Sequence, residues 1–136
     1  MPFFTRKNKK PLGIYIHVPF CRSKCIYCDF YSLANRDSKL MDQYRKAICA
    51  HIQEAGEQAP GYLVDTLYFG GGTPSFFGPD GMTAILTAIR KSFDVSPSAE
   101  ITFEANPDSV NKRLLRKLRN EGFNRVSLGI QCDNDE

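Results

Sequence analysis

Hydrophobic and polar residues along this chain repeat with a period that switches between two and about 3.6 residues. Four segments are predicted to be strands and lie near residues 13–18, 64–69, 100–104 and 125–131. Three segments between them carry apolar residues at helical spacing and run over 38–56, from Pro79 to Phe93 and from Val110 to Leu118. The order βαβαβαβ predicts an α/β fold with a parallel sheet and right-handed crossovers.

Residues with strong positional preferences mark the ends of the predicted helices. Pro79 is expected to open the second helix, because proline is favoured in the first helical turn. The segment 106–109 is expected to form a turn and the N-cap of the third helix, which Gly122 ends.

Three of the predicted strands have one apolar face and one polar or small face. In the first strand Ile14, Ile16 and Val18 alternate with Tyr15 and His17. Parallel strands that are buried on both faces usually form continuous apolar runs, and the lumen of a packed (β/α)8 barrel is filled with bulky branched residues. The alternation therefore favours a lumen that a ligand fills, with a sheet that faces water as the alternative.

Residues capable of chemistry collect where the predicted strands end. In chain order they are Cys21, Cys25 and Cys28, the glycine-rich turn 70–73, Glu104 and Gln131. The carboxyl ends of parallel strands share one edge, and ligands of α/β sheets and barrels bind there.

Cys21, Cys25 and Cys28 are the strongest metal-ligand candidates, because thiolates are soft ligands that suit iron–sulfur clusters and zinc. A cluster usually takes four thiolates, so three would leave one iron open to a substrate or cofactor. Two alternatives stay open from the residues alone. Together with His17 the cysteines could form a Cys3His zinc site, and they could also form disulfides.

The glycine-rich turn and Glu104 each have a structural alternative. Successive glycines at 70–72 let the main chain approach a ligand, but they also suit a plain tight turn. Glu104 at a strand end could accept hydrogen bonds from ribose hydroxyls, or it could be a surface charge. Cys49 and His51 on the first helix are expected to be packing or surface residues rather than ligands.

The sequence Cys21-x3-Cys25-x2-Cys28 resembles the signature of the radical S-adenosylmethionine (SAM) superfamily. In that family SAM chelates the open iron of a [4Fe-4S] cluster, and electron transfer cleaves it to a 5′-deoxyadenosyl radical. The resemblance implies a partial (β/α) barrel, truncated here after the fourth parallel strand. It also implies SAM contacts at Tyr15, Gly71, Gly72, Thr73, Glu104 and Gln131.

Within that superfamily the chain resembles the branch that contains HemW-type heme chaperones and oxygen-independent coproporphyrinogen III oxidases. The segment Gly70-Gly71-Gly72-Thr73-Pro74-Ser75 is similar to the turn of this branch. The oxidases have a fourth cysteine where this chain has Phe30, so the resemblance favours the chaperone. Cys132 and Asp133 depart from the usual Ser and Phe after the glutamine.

The resemblance also implies partners. They would be heme or a porphyrin, an electron donor and a heme-acceptor protein, while the heme-binding segment would lie beyond residue 136. The alternative functions are the oxidase, which acts in porphyrin biosynthesis, and a non-catalytic zinc domain. We expect residues 1–136 alone to be inactive and prone to aggregation.

Composition sets the remaining bounds. The 136 residues carry a net charge of +3, with 42% hydrophobic and 24% charged residues, as in ordinary globular domains. Residues 1–11 form a basic lead-in that is more typical of a flexible terminus than of a nucleic-acid arm, and 12–136 are assigned to the incomplete core domain. The sequence has neither a secretion signal nor the ~20 apolar residues of a membrane span, so a reducing cytoplasm is expected.

Overall fold

A computed structural model of the chain describes residues 8–20, 38–72, 74–107 and 110–129. Four parallel strands form one sheet in the order β1-β2-β3-β4. The strands are β1 (Lys10–Val18), β2 (Tyr62–Gly71), β3 (Asp94–Ala105) and β4 (Arg125–Leu128). The helices are α1 (Ser38–Glu57), α2 (Pro74–Phe77), α3 (Pro79–Ser92) and α4 (Lys112–Glu121). The predicted alternation of strands and helices around a parallel sheet is confirmed, with the short helix α2 as an addition.

The hydrophobic core lies between the helices and the apolar face of the sheet. The sheet contributes alternate strand residues, and α3 contributes residues at the 3–4 spacing that the sequence showed: Met82, Ile85, Leu86 and Ile89. Phe123 packs edge-on against Phe69 and Phe103, with ring centroids 5.1 and 5.6 Å apart. Each such aromatic pair contributes about 0.5–1.5 kcal/mol beyond the area that it buries.

The start of α4 differs from the prediction. The helix begins at Lys112, and its N-cap is Asn111, whose Oδ1 accepts a 2.8 Å hydrogen bond from the backbone N–H of Leu114. The predicted cap segment 106–109 therefore precedes the helix, and its Asp108 and Ser109 lie outside the described residues. The predictions for Pro79 and Gly122 are confirmed, since Pro79 opens α3 and Gly122 ends α4 with φ at 122°.

Three strands begin earlier than the alternating pattern predicts, and β2 begins at Tyr62, two residues before its predicted start. β1 starts at Lys10, and β3 starts at Asp94 rather than near residue 100. The first residues of β3 pair with Leu63 and Val64, and the register then shifts before Thr66 pairs with Glu100. Pro97 lies inside the shifted segment, and it cannot donate a hydrogen bond to a sheet ladder.

The surface of the helices carries most of the positive charge. Five of the ten residues of α4 are lysine or arginine, and all five are exposed. In the described ranges no helix is both long and apolar enough to cross a membrane.

Candidate functional site

The second face of the sheet carries the polar and small side chains that the alternation predicted. Backbone register aligns one row of residues across all four strands: Tyr15, Tyr68, Thr102 and Arg125. Nearer the carboxyl edge, His17 pairs with Gly70 and Glu104 pairs with Ser127. The predicted SAM-binding residues of β1 and β3 therefore share this face, and Tyr68 lies between them.

The Glu104 carboxylate is held by two donors from β2. The Tyr68 hydroxyl donates to Oε2 at 2.8 Å, and the backbone N–H of Gly71 donates to Oε1 at 3.2 Å. These contacts join residues 36 and 33 positions apart in the chain. The side chain is partly buried, so Glu104 is an anchored carboxylate on the polar face rather than a loose surface charge.

The glycine turn brings the end of β2 directly against the end of β1. A Cβ on Gly71 would lie 2.7 Å from Nδ1 of His17, and one on Gly72 would lie 2.4 Å from the carbonyl oxygen of Phe20. Gly71 has φ at +108°, which side chains rarely allow, and the N–H of Gly72 donates to the carbonyl of Val18 at 2.7 Å. Only glycine fits this close approach between the carboxyl ends of the two strands.

Tyr15 and Tyr68 form an aromatic pair on the polar face. Their rings are stacked with centroids 6.1 Å apart, and the Tyr15 hydroxyl lies 3.1 Å from Nδ1 of His17. Burial, followed by the nearby charge of Glu104, raises the pKa of Tyr15 above its ordinary value of 10.0. Burial and the hydrogen bond to Glu104 also raise the pKa of Tyr68. Both phenols are therefore neutral near pH 7, and the Tyr68 hydroxyl keeps its proton to donate.

The cysteine segment follows this edge in sequence. Phe20 is fully buried, with its ring stacked on Phe77 and edge-on to Tyr44 at centroid distances of 5.6 Å. The Tyr44 hydroxyl also donates to the carbonyl of His17. These contacts hold Phe20, the residue before Cys21, at the same edge of the sheet as the glycine turn.

Five of the predicted site residues lie outside the described residues. They are the predicted cluster ligands Cys21, Cys25 and Cys28 and the predicted SAM contacts Thr73 and Gln131. Among the side chains of 8–20, 38–72, 74–107 and 110–129, no three His, Cys, Asp or Glu come together as a metal site. The cluster ligands and the alternative zinc set with His17 therefore stay predictions.

Sequence reasoning missed Tyr68 as a member of the site. Its signal was present, because Thr66 and Tyr68 alternate with Leu67 and Phe69 in β2, as the polar residues do in β1. Tyr68 lies in a run of apolar and aromatic residues, and a tyrosine in such a run is usually interpreted as a core residue.

Cys49 and His51 on α1 occupy packing and surface positions, respectively. Cys49 packs partly buried against the core, and its Sγ lies 3.9 Å from the carbonyl oxygen of Ala84. Burial raises the pKa of its thiol, which disfavours the thiolate. His51 is exposed.

An open cleft of about 380 Å³ lies at the opposite, amino-terminal edge of the sheet, beside Arg90, Asp94 and Asn124. Its polar groups are occupied by structural contacts. The Asn124 side chain accepts from the N–H of Ile101 and donates to the carbonyl of Ala99. Arg90 donates to the carbonyl of Glu121, and Asp94 pairs with Lys9 at 3.1 Å. These contacts stabilise the amino-terminal end of the sheet and use the polar groups of the cleft, so the cleft is not the candidate site.

Together these elements define an α/β protein with a parallel sheet and a polar candidate site at the carboxyl ends of its strands, the edge where ligands of such sheets bind. The chain belongs to the radical SAM superfamily, whose family model matches residues 15–136. The structure is similar to that of coproporphyrinogen III oxidase (HemN) from Escherichia coli, described as a radical SAM enzyme, with a TM-score of 0.85 and 33% identity. That similarity covers 95% of this chain and 30% of the other, and it confirms the predicted partial barrel of the radical SAM type.

The curated relatives fall in both predicted branches. The heme chaperone HemW of Mycobacterium tuberculosis is 39% identical over 96% of this chain and 34% of its own length. The oxygen-independent coproporphyrinogen III oxidase of Salmonella typhimurium is 34% identical over 97% of this chain and 29% of its own. HemW of Escherichia coli is 36% identical over 93% and 33%. The chain thus spans about a third of the length of these relatives.

Proposed function

We propose that this chain forms the cofactor-binding part of a radical SAM protein, with a [4Fe-4S] cluster on Cys21, Cys25 and Cys28 and SAM beside it. The observation that carries the proposal is the anchored Glu104 carboxylate next to the glycine turn. That turn contacts the main chain of Phe20, one residue before the first cysteine. The carboxylate, the glycine turn and Phe20, the residue before the cysteine segment, thereby lie at one edge of the sheet.

The residue types of the predicted site fit the two cofactors. Three thiolates leave one iron without a protein ligand, and SAM offers an amino and a carboxylate group to fill it. The polar face supplies partners for the polar parts of SAM, whereas a packed barrel lumen would not. Glycine at 71 and 72 lets the turn pass directly against β1, because a Cβ there would meet atoms of His17 or Phe20 at under 3 Å.

Each predicted SAM contact has a distinct role in this proposal. Gly71 and Gly72 let the main chain approach the methionyl end of SAM, as the family resemblance implies, and Thr73 and Gln131 complete its contacts. Glu104 accepts from the ribose hydroxyls, as acidic residues do in dinucleotide folds. Each of its oxygens already accepts one hydrogen bond and has capacity for another. Cys21, Cys25 and Cys28 would hold the cluster, which when reduced would supply the electron for cleavage of SAM.

The finer proposal is that the intact protein is a heme chaperone, which binds heme and transfers it to an acceptor protein in a reducing cytoplasm. Phe30 supports it, because the resemblance places the fourth cysteine of the oxidases at that position. The 39% and 36% identities to HemW proteins also support it. The heme ligands, the electron donor and the acceptor stay unassigned.

The second candidate is an oxygen-independent coproporphyrinogen III oxidase. The structural similarity to HemN and the 34% identity to the Salmonella oxidase favour it. The two candidates share the cofactor site and differ in what happens to the porphyrin.

Porphyrin turnover separates the two candidates. The intact protein is reconstituted anaerobically with iron and sulfide, supplied with SAM and a reductant, and incubated with coproporphyrinogen. Heme binding is measured in parallel by visible absorption. We expect about four irons per chain, stable heme binding and no protoporphyrinogen. Formation of protoporphyrinogen over many turnovers would establish the oxidase, and one zinc without iron would refute the cofactor proposal.

A further inference from the structure

The Glu104 carboxylate receives one of its two hydrogen bonds from Tyr68, a residue outside the predicted SAM-binding set. Tyr68 is the neighbour of both Tyr15 and Thr102 in the sheet register, at the centre of the polar face. Its hydroxyl donates to Glu104 Oε2 at 2.8 Å, while the ring stacks on Tyr15. One side chain thereby contacts two of the predicted SAM-binding residues, which come from different strands.

The two hydrogen-bond donors constrain the orientation of the Glu104 carboxylate differently. The N–H of Gly71 holds Oε1 from the main chain, which alone would let the carboxylate plane rotate about that contact. The Tyr68 hydroxyl holds the second oxygen, so the plane and the side-chain torsions are fixed together. A free glutamate loses up to about 2 kcal/mol of side-chain entropy when it is immobilised, and a preordered one does not lose it again on binding.

We propose that Tyr68 is a positioning residue for SAM, which acts through Glu104 by fixing its carboxylate before the ligand arrives. The inference rests on the proposed function, because it takes Glu104 as a SAM contact. Tyr68 needs no contact with SAM itself. Its phenol keeps the proton that the hydrogen bond requires, since the ring lies beside a carboxylate and is partly buried.

A double-mutant cycle tests the inference by SAM affinity, measured calorimetrically on the intact protein with its cluster reconstituted. The variants are Tyr68→Phe, Glu104→Ala and the double variant. Phenylalanine keeps the ring that stacks on Tyr15 and removes only the hydroxyl. Tyr62→Phe is the matched control, because Tyr62 lies at the other end of β2 and is 39% exposed. Iron content and melting temperature are recorded for every variant.

Tyr68→Phe is expected to weaken SAM binding about two- to tenfold, the usual range for one lost hydrogen bond, with unchanged iron content. In the Glu104→Ala background the same change should have no further effect, because the group through which it acts is gone. Tyr62→Phe should bind SAM as the wild type does.

The other outcomes separate the two proposals. If Glu104→Ala weakens SAM binding but Tyr68→Phe does not, the positioning role is refuted and the proposed function stands. If both changes weaken binding and their effects add in the double variant, Tyr68 acts independently of Glu104 and the inference is also refuted. If Glu104→Ala leaves SAM affinity unchanged, the assignment of Glu104 fails and the inference fails with it.

Discussion

Gly71 and Gly78 have nearly the same φ angle in different surroundings. Their φ values are +108° and +106°, but only a Cβ on Gly71 meets neighbouring atoms, with Nδ1 of His17 at 2.7 Å. Gly78→Ala should cost only the backbone strain of its positive φ, about 1–3 kcal/mol. Gly71→Ala should cost more, because the strain and the clash add, and it alone should weaken SAM binding. Urea denaturation and calorimetry of the intact protein measure both effects.

Gly78→Ala is the control for backbone strain in that comparison. Equal losses of stability in the two variants, together with unchanged SAM affinity, would mean that the turn is only a structural connection.

The cysteines give a second test at this scale. Replacing Cys21, Cys25 or Cys28 with Ala should abolish a reconstituted cluster, because each would supply one of its three protein ligands. Iron and sulfide analysis measures the outcome. Cys49→Ala is the matched control and should retain the cluster, since that thiol packs on α1 beside Ala84. A full cluster in Cys25→Ala would refute the ligand assignment.

At the scale of elements, the N-cap of α4 is Asn111, whereas the sequence pattern predicted a cap within residues 106–109. Asn111→Ala removes the hydrogen bond from Asn111 Oδ1 to the N–H of Leu114. The loss should be about 1 kcal/mol of unfolding free energy, as for other N-caps. Urea denaturation of the intact protein measures it. Asn120→Ala, on an exposed position of the same helix, should cause no comparable loss. An unchanged free energy of unfolding in Asn111→Ala would show that the cap contributes little to the stability of this protein.

Element boundaries were the least predictable part of the fold. Asn106, Asp108, Ser109 and Asn111 all belong to residue types that favour N-caps, so local preference could not choose among them. β3 extends back to Asp94 through a proline segment because its first residues find partners on β2, beyond a shift in register. Pairing with a strand that is distant in sequence determines that extension, and the local hydrophobic pattern does not predict it.

For the molecule as a whole, Tyr44 couples helix packing to alkaline stability. Its ring packs edge-on against Phe20 and Phe77, and its hydroxyl donates to the carbonyl of His17. Burial is the main cause that raises the pKa of Tyr44 from 10.0 to about 12. The folded state therefore holds this proton more tightly than the unfolded state, and its contribution to stability is complete below about pH 10.

That contribution should be lost as pH rises from about 10 to about 12, so the free energy of unfolding should fall across this window. Denaturation of the intact protein at several pH values measures the slope. In Tyr44→Phe the phenol is absent, and the slope should be shallower. Identical slopes in both proteins would mean that Tyr44 does not titrate as its burial requires.

The sequence by itself determined the order of elements, the strands with one apolar and one polar face, and the edge of the sheet that carries the candidate site. These follow from local periodicity, because alternation fixes which side chains share a face and parallel strands bring their carboxyl ends to one edge. It also placed Tyr15 and Glu104 on the polar face. Only the tertiary structure decided that Tyr68 holds Glu104 and that the glycine turn contacts Phe20. Those contacts join strands far apart in the chain, and their geometry depends on register and side-chain packing, which no local pattern encodes.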